Sequence, residues 1–189
     1  SGAVYIYRGG DALQLENRPA AIAYSRFGGA NSRVVATPDV NGDGRDDLVL
    51  GGPTHDQPRD SGRLDVILGR PYLEDGQTAL LCDPVLSQNG IQASGQLGIS
   101  GARLGDLDGD GCEEFAVGEV RRRANNQNDA GLVRVIFGWG GAGCSAQGRS
   151  VLISPGRAGE QFGGAIDVWR PTPGGTAWLV VGAYRHRRY

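Results

Sequence analysis

Apolar residues in this chain come in short runs that stop at glycine. Leu48-Val49-Leu50-Gly51 and Phe115-Ala116-Val117-Gly118 are unbroken runs, and Val181-Gly182-Ala183-Tyr184 repeats their ending. Runs so short, bounded by turn residues, predict buried strands rather than helices. A second kind of segment alternates: Gly2-Ala3-Val4-Tyr5-Ile6-Tyr7, then Gly62-Arg63-Leu64-Asp65-Val66-Ile67-Leu68, then Gly131-Leu132-Val133-Arg134-Val135-Ile136-Phe137. Alternation places successive side chains on opposite faces of a strand. A third kind opens as Phe27-Gly28-Gly29-Ala30, returns as Leu97-Gly98-Ile99-Ser100 and appears again as Phe162-Gly163-Gly164-Ala165. Each unit therefore reads as an opening with glycine, a strand, a loop, a glycine-ended strand, a variable loop, an alternating strand and a linker. Recurrence in fixed order marks a repeat architecture. The 33 glycines, against 4 Phe, 3 Trp and 6 Tyr, suit an all-β chain of many short strands and tight turns.

The loop inside each of the first two units carries the chemistry. Asp39 to Gly51 reads DVNGDGRDDLVLG, with oxygen-bearing side chains at Asp39, Asn41, Asp43 and, four further on, Asp47. Arg45, at the seventh position, offers only its backbone carbonyl. Asp106 to Gly118 reads DLDGDGCEEFAVG and sets Asp106, Asp108, Asp110, the Cys112 carbonyl and Glu114 in the equivalent places. Calcium takes six to eight such oxygens at about 2.3–2.6 Å, and the interleaved glycines permit the positive φ of a tight wrap. Two copies with the same apolar tail are poorly explained as solvated turns. The twelfth position is Leu50 in one copy and Val117 in the other, where an EF-hand requires a bidentate Glu. The strand that follows also argues against dockerin-type loops, which lead into helix. Two calcium ions per chain are expected. The third unit keeps Asp167 at position one, but Trp169 takes position three and Pro171-Thr172-Pro173-Gly174-Gly175 fills the turn, so no ion is expected there.

With FGGA at 27 and 162, two acidic loops and the VGA-type strand ends, nearly the whole chain resembles the FG-GAP repeats of the integrin α-subunit β-propeller and its bacterial relatives. The resemblance implies blades of four antiparallel strands, with three blade equivalents per chain in a single propeller domain or half-domain. The repeats run over approximately 27–96, 97–161, and 162–189 together with 1–26. It further implies calcium loops joining the first and second strands of a blade on one face, with ligands usually bound on the other. The function so implied is a non-catalytic, calcium-stabilised adhesion or protein-interaction module, extracellular or at the cell surface. Two alternatives remain open: a carbohydrate-binding propeller using Tyr184, Trp139 and Trp169, and an accessory domain of a secreted hydrolase.

The spacing adds an expectation about assembly. Asp39 to Asp106 is 67 residues and Asp106 to Asp167 is 61; from Asp167 through Tyr189 and on from Ser1 to Asp39 is again 61. Three whole pitches allow the Gly2–Tyr7 strand to supply the segment missing after Val181, in its own chain or in a partner. Closed propellers have about 4–8 blades, and uncovered blade faces are large apolar patches. A six-bladed homodimer or a larger propeller of which this is a part both satisfy that; the preserved pitch favours the dimer.

Composition narrows the rest. Formal charge is −2, and two calcium ions would bring it to +2. Every basic residue is Arg. No apolar run approaches the roughly 18 residues that span a bilayer, so membrane insertion is not expected. Met is absent, which suits a removed leader or a piece of a longer chain. Cys82, Cys112 and Cys144 fit no zinc spacing; Cys82 and Cys144 occupy corresponding linkers and either pair or stay free. His55 and His186 each lie four residues past the repeat glycine, a shared loop position rather than a catalytic pair. There is no GxSxG elbow, P-loop or dinucleotide fingerprint, and no enzyme is expected. Arg121-Arg122-Arg123 and Arg185-His186-Arg187-Arg188 fall in loops at the strand ends opposite the acidic loops. Guanidinium forks suit carboxylate and sulphate, so an acidic protein segment or sulphated glycan is the partner these loops fit. Nucleic acid is not, because the aromatics used for base stacking are missing.

Overall fold

A computed structural model describes residues 3–7, 19, 21–24, 33–55, 58–69, 79–81, 84–172 and 175–185. The first Phe-Gly-Gly-Ala segment at 27–30, Cys82, His186, Arg187 and Arg188 lie outside the described residues. Within them the chain is all strand and turn. The elements are β1 (Ala3–Ile6), β2 (Ala21–Tyr24), β3 (Arg33–Ala36), β4 (Leu48–Gly51), β5 (Arg63–Ile67), β6 (Ala79–Leu81), β7 (Leu86–Asn89), β8 (Leu97–Gly105), β9 (Glu114–Glu119), β10 (Leu132–Ile136), β11 (Ser150–Ile153), β12 (Phe162–Trp169) and β13 (Trp178–Ala183).

Two complete blades have the predicted composition. Strands β3-β4-β5-β7 form one four-stranded antiparallel sheet and β8-β9-β10-β11 the other. The glycine-ended runs are the second strands and the alternating segments the third. Strands β12 and β13 pair as the first half of a further blade. Strand β1, an alternating segment, pairs with β2 and not with β13; β6 adds to β2 in parallel. Within one chain the two parts of the composite third unit therefore lie in separate sheets, β1-β2 with β6 at one side of the complete blades and β12-β13 at the other.

Three apolar clusters lie between consecutive sheets. Val4, Ile6, Ala21 and Ala23 meet Leu48, Leu50 and Ile67. Val35, Val49, Leu64 and Val66 meet Leu97, Phe115, Val117 and Ile136. Leu104, Ala116, Val133 and Val135 meet Phe162, Ile166, Val168, Leu179 and Val181. A blade with a neighbour on both faces buries both sides of its strands. That is why LVLG and FAVG are unbroken apolar runs rather than alternating ones. The outer side of β12–β13 has no such cover among the described residues, and Trp169, Trp178 and Val180 are exposed.

The recurrent glycines bring these sheets together. A Cβ on Gly51 would lie 2.8 Å from the carbonyl carbon of Gly98 in the next blade. One on Gly118 would overlap the Gly163 carbonyl oxygen and lie 3.1 Å from its carbon. The glycine ending each second strand thus faces the glycine opening the next blade. The opening residue is tied as well: Leu97 N–H donates to Ser61 C=O (2.9 Å) and Phe162 N–H to Ala130 C=O (3.0 Å). The sequence motif is a blade-to-blade contact.

Candidate metal centre

Each acidic loop joins a first strand to a second, as expected: 37–47 between β3 and β4, and 106–113 between β8 and β9. The two are folded alike around their first aspartate. Asp39 accepts from the amides of Asp43 (3.1 Å) and Gly44 (2.8 Å). Asp106 accepts from those of Gly109 (2.7 Å), Asp110 (3.1 Å) and Gly111 (3.0 Å). Gly42, Gly44, Gly109 and Gly111 all have positive φ, which a side chain would make costly. The fifth position supports its own turn: Asp43 accepts from Arg45 N–H (2.9 Å) and Asp110 from Cys112 N–H (2.9 Å).

The ninth position repeats most closely. Asp47 is buried and accepts from Val40 N–H (2.8 Å) and Gly69 N–H (2.8 Å). Glu114 is buried and accepts from Leu107 N–H (2.6 Å) and Gly138 N–H (3.3 Å). Both are held in acceptor form, yet burial raises their pKa. The Asp47 carboxyl is pushed up to about 6, chiefly by desolvation; the Gly69 and Val40 amides pull against it, while the Asp43 and Asp39 charges add to it. Glu114 moves the same way, by burial first, with Asp108 and Asp110 contributing. A cation in each loop is what would favour the charged form of these groups.

Oxygens of Asp106, Asp108 and Glu114 lie within 4.8 Å of one another, within reach of one ion. Asp110 also accepts from Ser145 N–H (2.9 Å). In the first loop Asn41 and Asp43 are joined side chain to side chain at 3.2 Å. Arg45 is exposed. The donor set is all oxygen, which fits a hard cation and not a soft one. In the third unit the exposed Asp167 accepts from the amide of its neighbour Val168 (2.8 Å).

Cysteine pairing differs from expectation. Cys144 is bonded to Cys112, 32 residues away, and not to Cys82. The reason lies in the 138–145 turn, which folds onto both acidic loops. A Cβ on Gly138 would be 2.6 Å from Cys112 Cβ, and one on Gly141 would be 2.6 Å from Asn41 O. Cys112 is thus a disulfide partner as well as a candidate carbonyl donor.

Several neighbours of the loops were not singled out from sequence. Arg103 on β8 pairs with Glu113 (2.6 Å) and with Asp46 (2.9 Å). Arg149 pairs with Asp108 (2.9 Å) and lies over the Phe137 ring, 3.8 Å from its centroid. The doubled acids Asp46-Asp47 and Glu113-Glu114 were a usable signal, since position eight had no role in the ligand count.

The FG-GAP repeat profile matches residues 30–81. Over 156 residues, 79% of this chain and 14% of that protein, mouse Integrin alpha-IIb is 36% identical. The chain belongs to the integrin-like FG-GAP repeat family. Integrin alpha-5 of Xenopus laevis is 35% identical over 117 residues, 62% of this chain and 11% of that protein. Integrin alpha-PS2 of Drosophila melanogaster is 40% identical over 88 residues, 44% of this chain and 6% of that protein. The chain thus spans a small part, 14% or less, of these relatives.

Within this integrin-like frame, other predicted sites change character. Trp139 is buried in the cluster between the two complete blades. Its amide donates to Val40 C=O at 2.6 Å. It offers no face to a sugar, so the three-aromatic platform is not assembled. Trp169 and Tyr184 are exposed but lie at opposite ends of the β12–β13 pair. His55 is buried, its Nδ1 without a hydrogen-bond partner. In the Arg121–Arg123 run Arg123 is exposed, while Arg121 and Arg122 are half-buried. Arg122 turns toward Glu119 (4.0 Å), a buried acid also held by Arg134 at 2.9 Å. No helix among the described residues is long and apolar enough to cross a membrane.

Proposed function

We infer that this chain is a non-catalytic, calcium-stabilised interaction segment of an extracellular adhesion propeller. The observation that carries the calcium reading is the duplicated ninth-position carboxylate. Asp47 and Glu114 are both buried, both gripped by two amides and both raised in pKa, at the base of loops that otherwise offer only oxygens. The adhesion reading rests on the likeness to integrin α-subunits, whose repeats are of this kind. First-loop donors are Asp39, Asn41, Asp43, the Arg45 carbonyl and Asp47; second-loop donors are Asp106, Asp108, Asp110, the Cys112 carbonyl and Glu114. Titration calorimetry of EDTA-stripped protein with calcium tests this. Two ions should bind per chain, with Asp43→Ala and Asp110→Ala each removing one. Saturation at about 100 Kd should add about 2.7 kcal/mol of stability for each occupied site. Absence of binding, or a melting temperature indifferent to calcium, would overturn it.

Partners follow from the outer edges of β1 and β13 and from the far loops. Among the described residues β1 and β13 each have one unpaired edge. Pairing them as β9 pairs β10, where Val117 faces Arg134, would set Val181 against Tyr5. A second copy supplying that strand makes a six-bladed homodimer. The loop carrying Arg123 is the surface for an acidic protein or sulphated glycan.

A further inference from the structure

The two acidic loops are built into each other. Asp39, the first donor of the first loop, is held on both sides of its backbone by one residue of the second loop. Its N–H donates to Glu113 Oε2 (3.0 Å), and its C=O accepts from Glu113 N–H (2.8 Å). Glu113 stands at the eighth position, immediately before the donor Glu114, and is not itself in the donor set. Arg103 grips the Glu113 carboxylate and carries its guanidinium across to Asp46, the eighth position of the first loop. A second connection runs through the 138–145 turn. Val40, whose N–H donates to Asp47, gives its C=O to Trp139 N–H (2.6 Å), and the adjacent Gly138 N–H reaches Glu114. A Cβ on Gly42 would sit 2.6 Å from Gly111 O, so the turns touch directly.

We propose that the two calcium sites bind as a coupled pair, with Glu113 the positioning residue that holds the first donor of the first loop. This rests on reading both loops as calcium sites. An ion in the second loop draws in Asp106, Asp108 and Glu114 and fixes the backbone between them, Glu113 included. Asp39 is then already in place for the other ion, and ordering that the first ion has achieved is not required again of the second. Repulsion between the two dications opposes this, but nine carboxylates in and beside the loops outweigh them. The third unit lacks the device: its eighth position is Gly174, with no side chain to reach back.

Calorimetry on the full chain gives the coupling factor as the product of the two wild-type stepwise constants divided by the product of the single-site constants of Asp43→Ala and Asp110→Ala. A factor of about 5–150 is expected. By reciprocity, each loop must lose the same factor when the other is disabled, so either variant alone reports the coupling if its counterpart folds poorly. Glu113→Ala keeps all ten donors, so it should still bind two ions while the factor falls towards one. Two ions with a wild-type factor of one would overturn the coupling and leave the calcium sites standing. No ion in wild type would instead remove the sites themselves. A factor unchanged by Glu113→Ala would overturn the role of Glu113.

Discussion

Replacing Gly118 with alanine separates two accounts of the repeat glycine, because they predict opposite signs. Gly118 is the next-to-last residue of β9 and its φ is not in the left-handed region, so the strand itself accepts a side chain. On local grounds Gly118→Ala should stabilise by about 0.4–1 kcal/mol, through the entropy of the unfolded chain. The seam between blades says otherwise. The new methyl would overlap Gly163 O and lie 2.5 Å from Ser100 Oγ. Gly163 is itself closely packed, since a Cβ there would be 2.6 Å from Leu132 O. Ser100 cannot turn without losing its 2.6 Å bond to Gly163 O. Overpacking of this kind costs about 1–3 kcal/mol, and the lost hydrogen bond about 1 kcal/mol more. The net expectation is destabilisation by about 1–4 kcal/mol, or roughly 2–16 °C in Tm at this chain length. Gly52→Ala is the control: a Cβ there meets nothing within 4 Å, so the change should be neutral or slightly stabilising. Thermal and urea unfolding followed by circular dichroism measure both. A Gly118→Ala protein as stable as wild type would refute the account of how the blades meet.

Asp47 gives a pH dependence. Its folded pKa of about 6 lies above the ordinary 3.8, so in ion-free protein its contribution is fully present below about 3.8 and lost as pH rises through about 6. Calcium requires the ionised form, so the gain in Tm from calcium should shrink as pH falls below about 6; a gain constant down to about pH 5 would count against the site. Arg123→Ser should leave unfolding curves unchanged and weaken binding of poly-glutamate or a heparin oligosaccharide with a flatter salt dependence, whereas equal affinity across the salt series returns the loop to plain solvation. Light scattering of this chain should give the mass of two copies, and cysteines at positions 5 and 181 should cross-link between them. A monodisperse particle of one chain mass would remove the homodimer.

What could be read from the sequence was whatever depends on neighbours along the chain. Asp39-x-Asn41-x-Asp43 states its own loop, and LVLG states its own burial, because side-chain period and turn chemistry are local. Blade order followed from the recurrence of those pieces. What failed depended on contacts across the fold. Trp139 sits in Gly138-Trp139-Gly140-Gly141, a stretch that reads as an exposed loop. The same glycines let the turn press against Val40 and Asn41 and bury the ring. Cys144 was assigned by its place in a linker, but its partner is set by where that turn lands. Arg122 looked free in a run of three arginines, yet Glu119 waits beneath it at the end of β9. Glu113 has no place in the ligand pattern, and nothing near it in sequence indicates that Asp39 lies opposite.

These misses fall mostly along one line, the seam between the first and second complete blades. Phe115, Val117, Leu64 and Trp139 fill its middle. The Gly51–Gly98 approach closes it at one end of the strands, and the two acidic loops with Arg103 close it at the other. Hydrogen bonds inside a blade are satisfied by its own strands and need no ion. The seam is different: at the acidic end it joins two clusters of like charge, which repel unless something positive stands between them. Arg103 supplies one charge at position eight of both loops, and Arg149 another at Asp108. The unpaired carboxylates that remain are those of the candidate donors. A cation in each loop would therefore act on stability mainly by letting neighbouring blades approach, and only secondarily by folding the loop that binds it. On that reasoning a third unit expected to hold no ion needs another route to its neighbour. There Arg170 crosses the seam as a built-in cation and donates to Leu104 C=O at 2.6 Å, just ahead of the second loop.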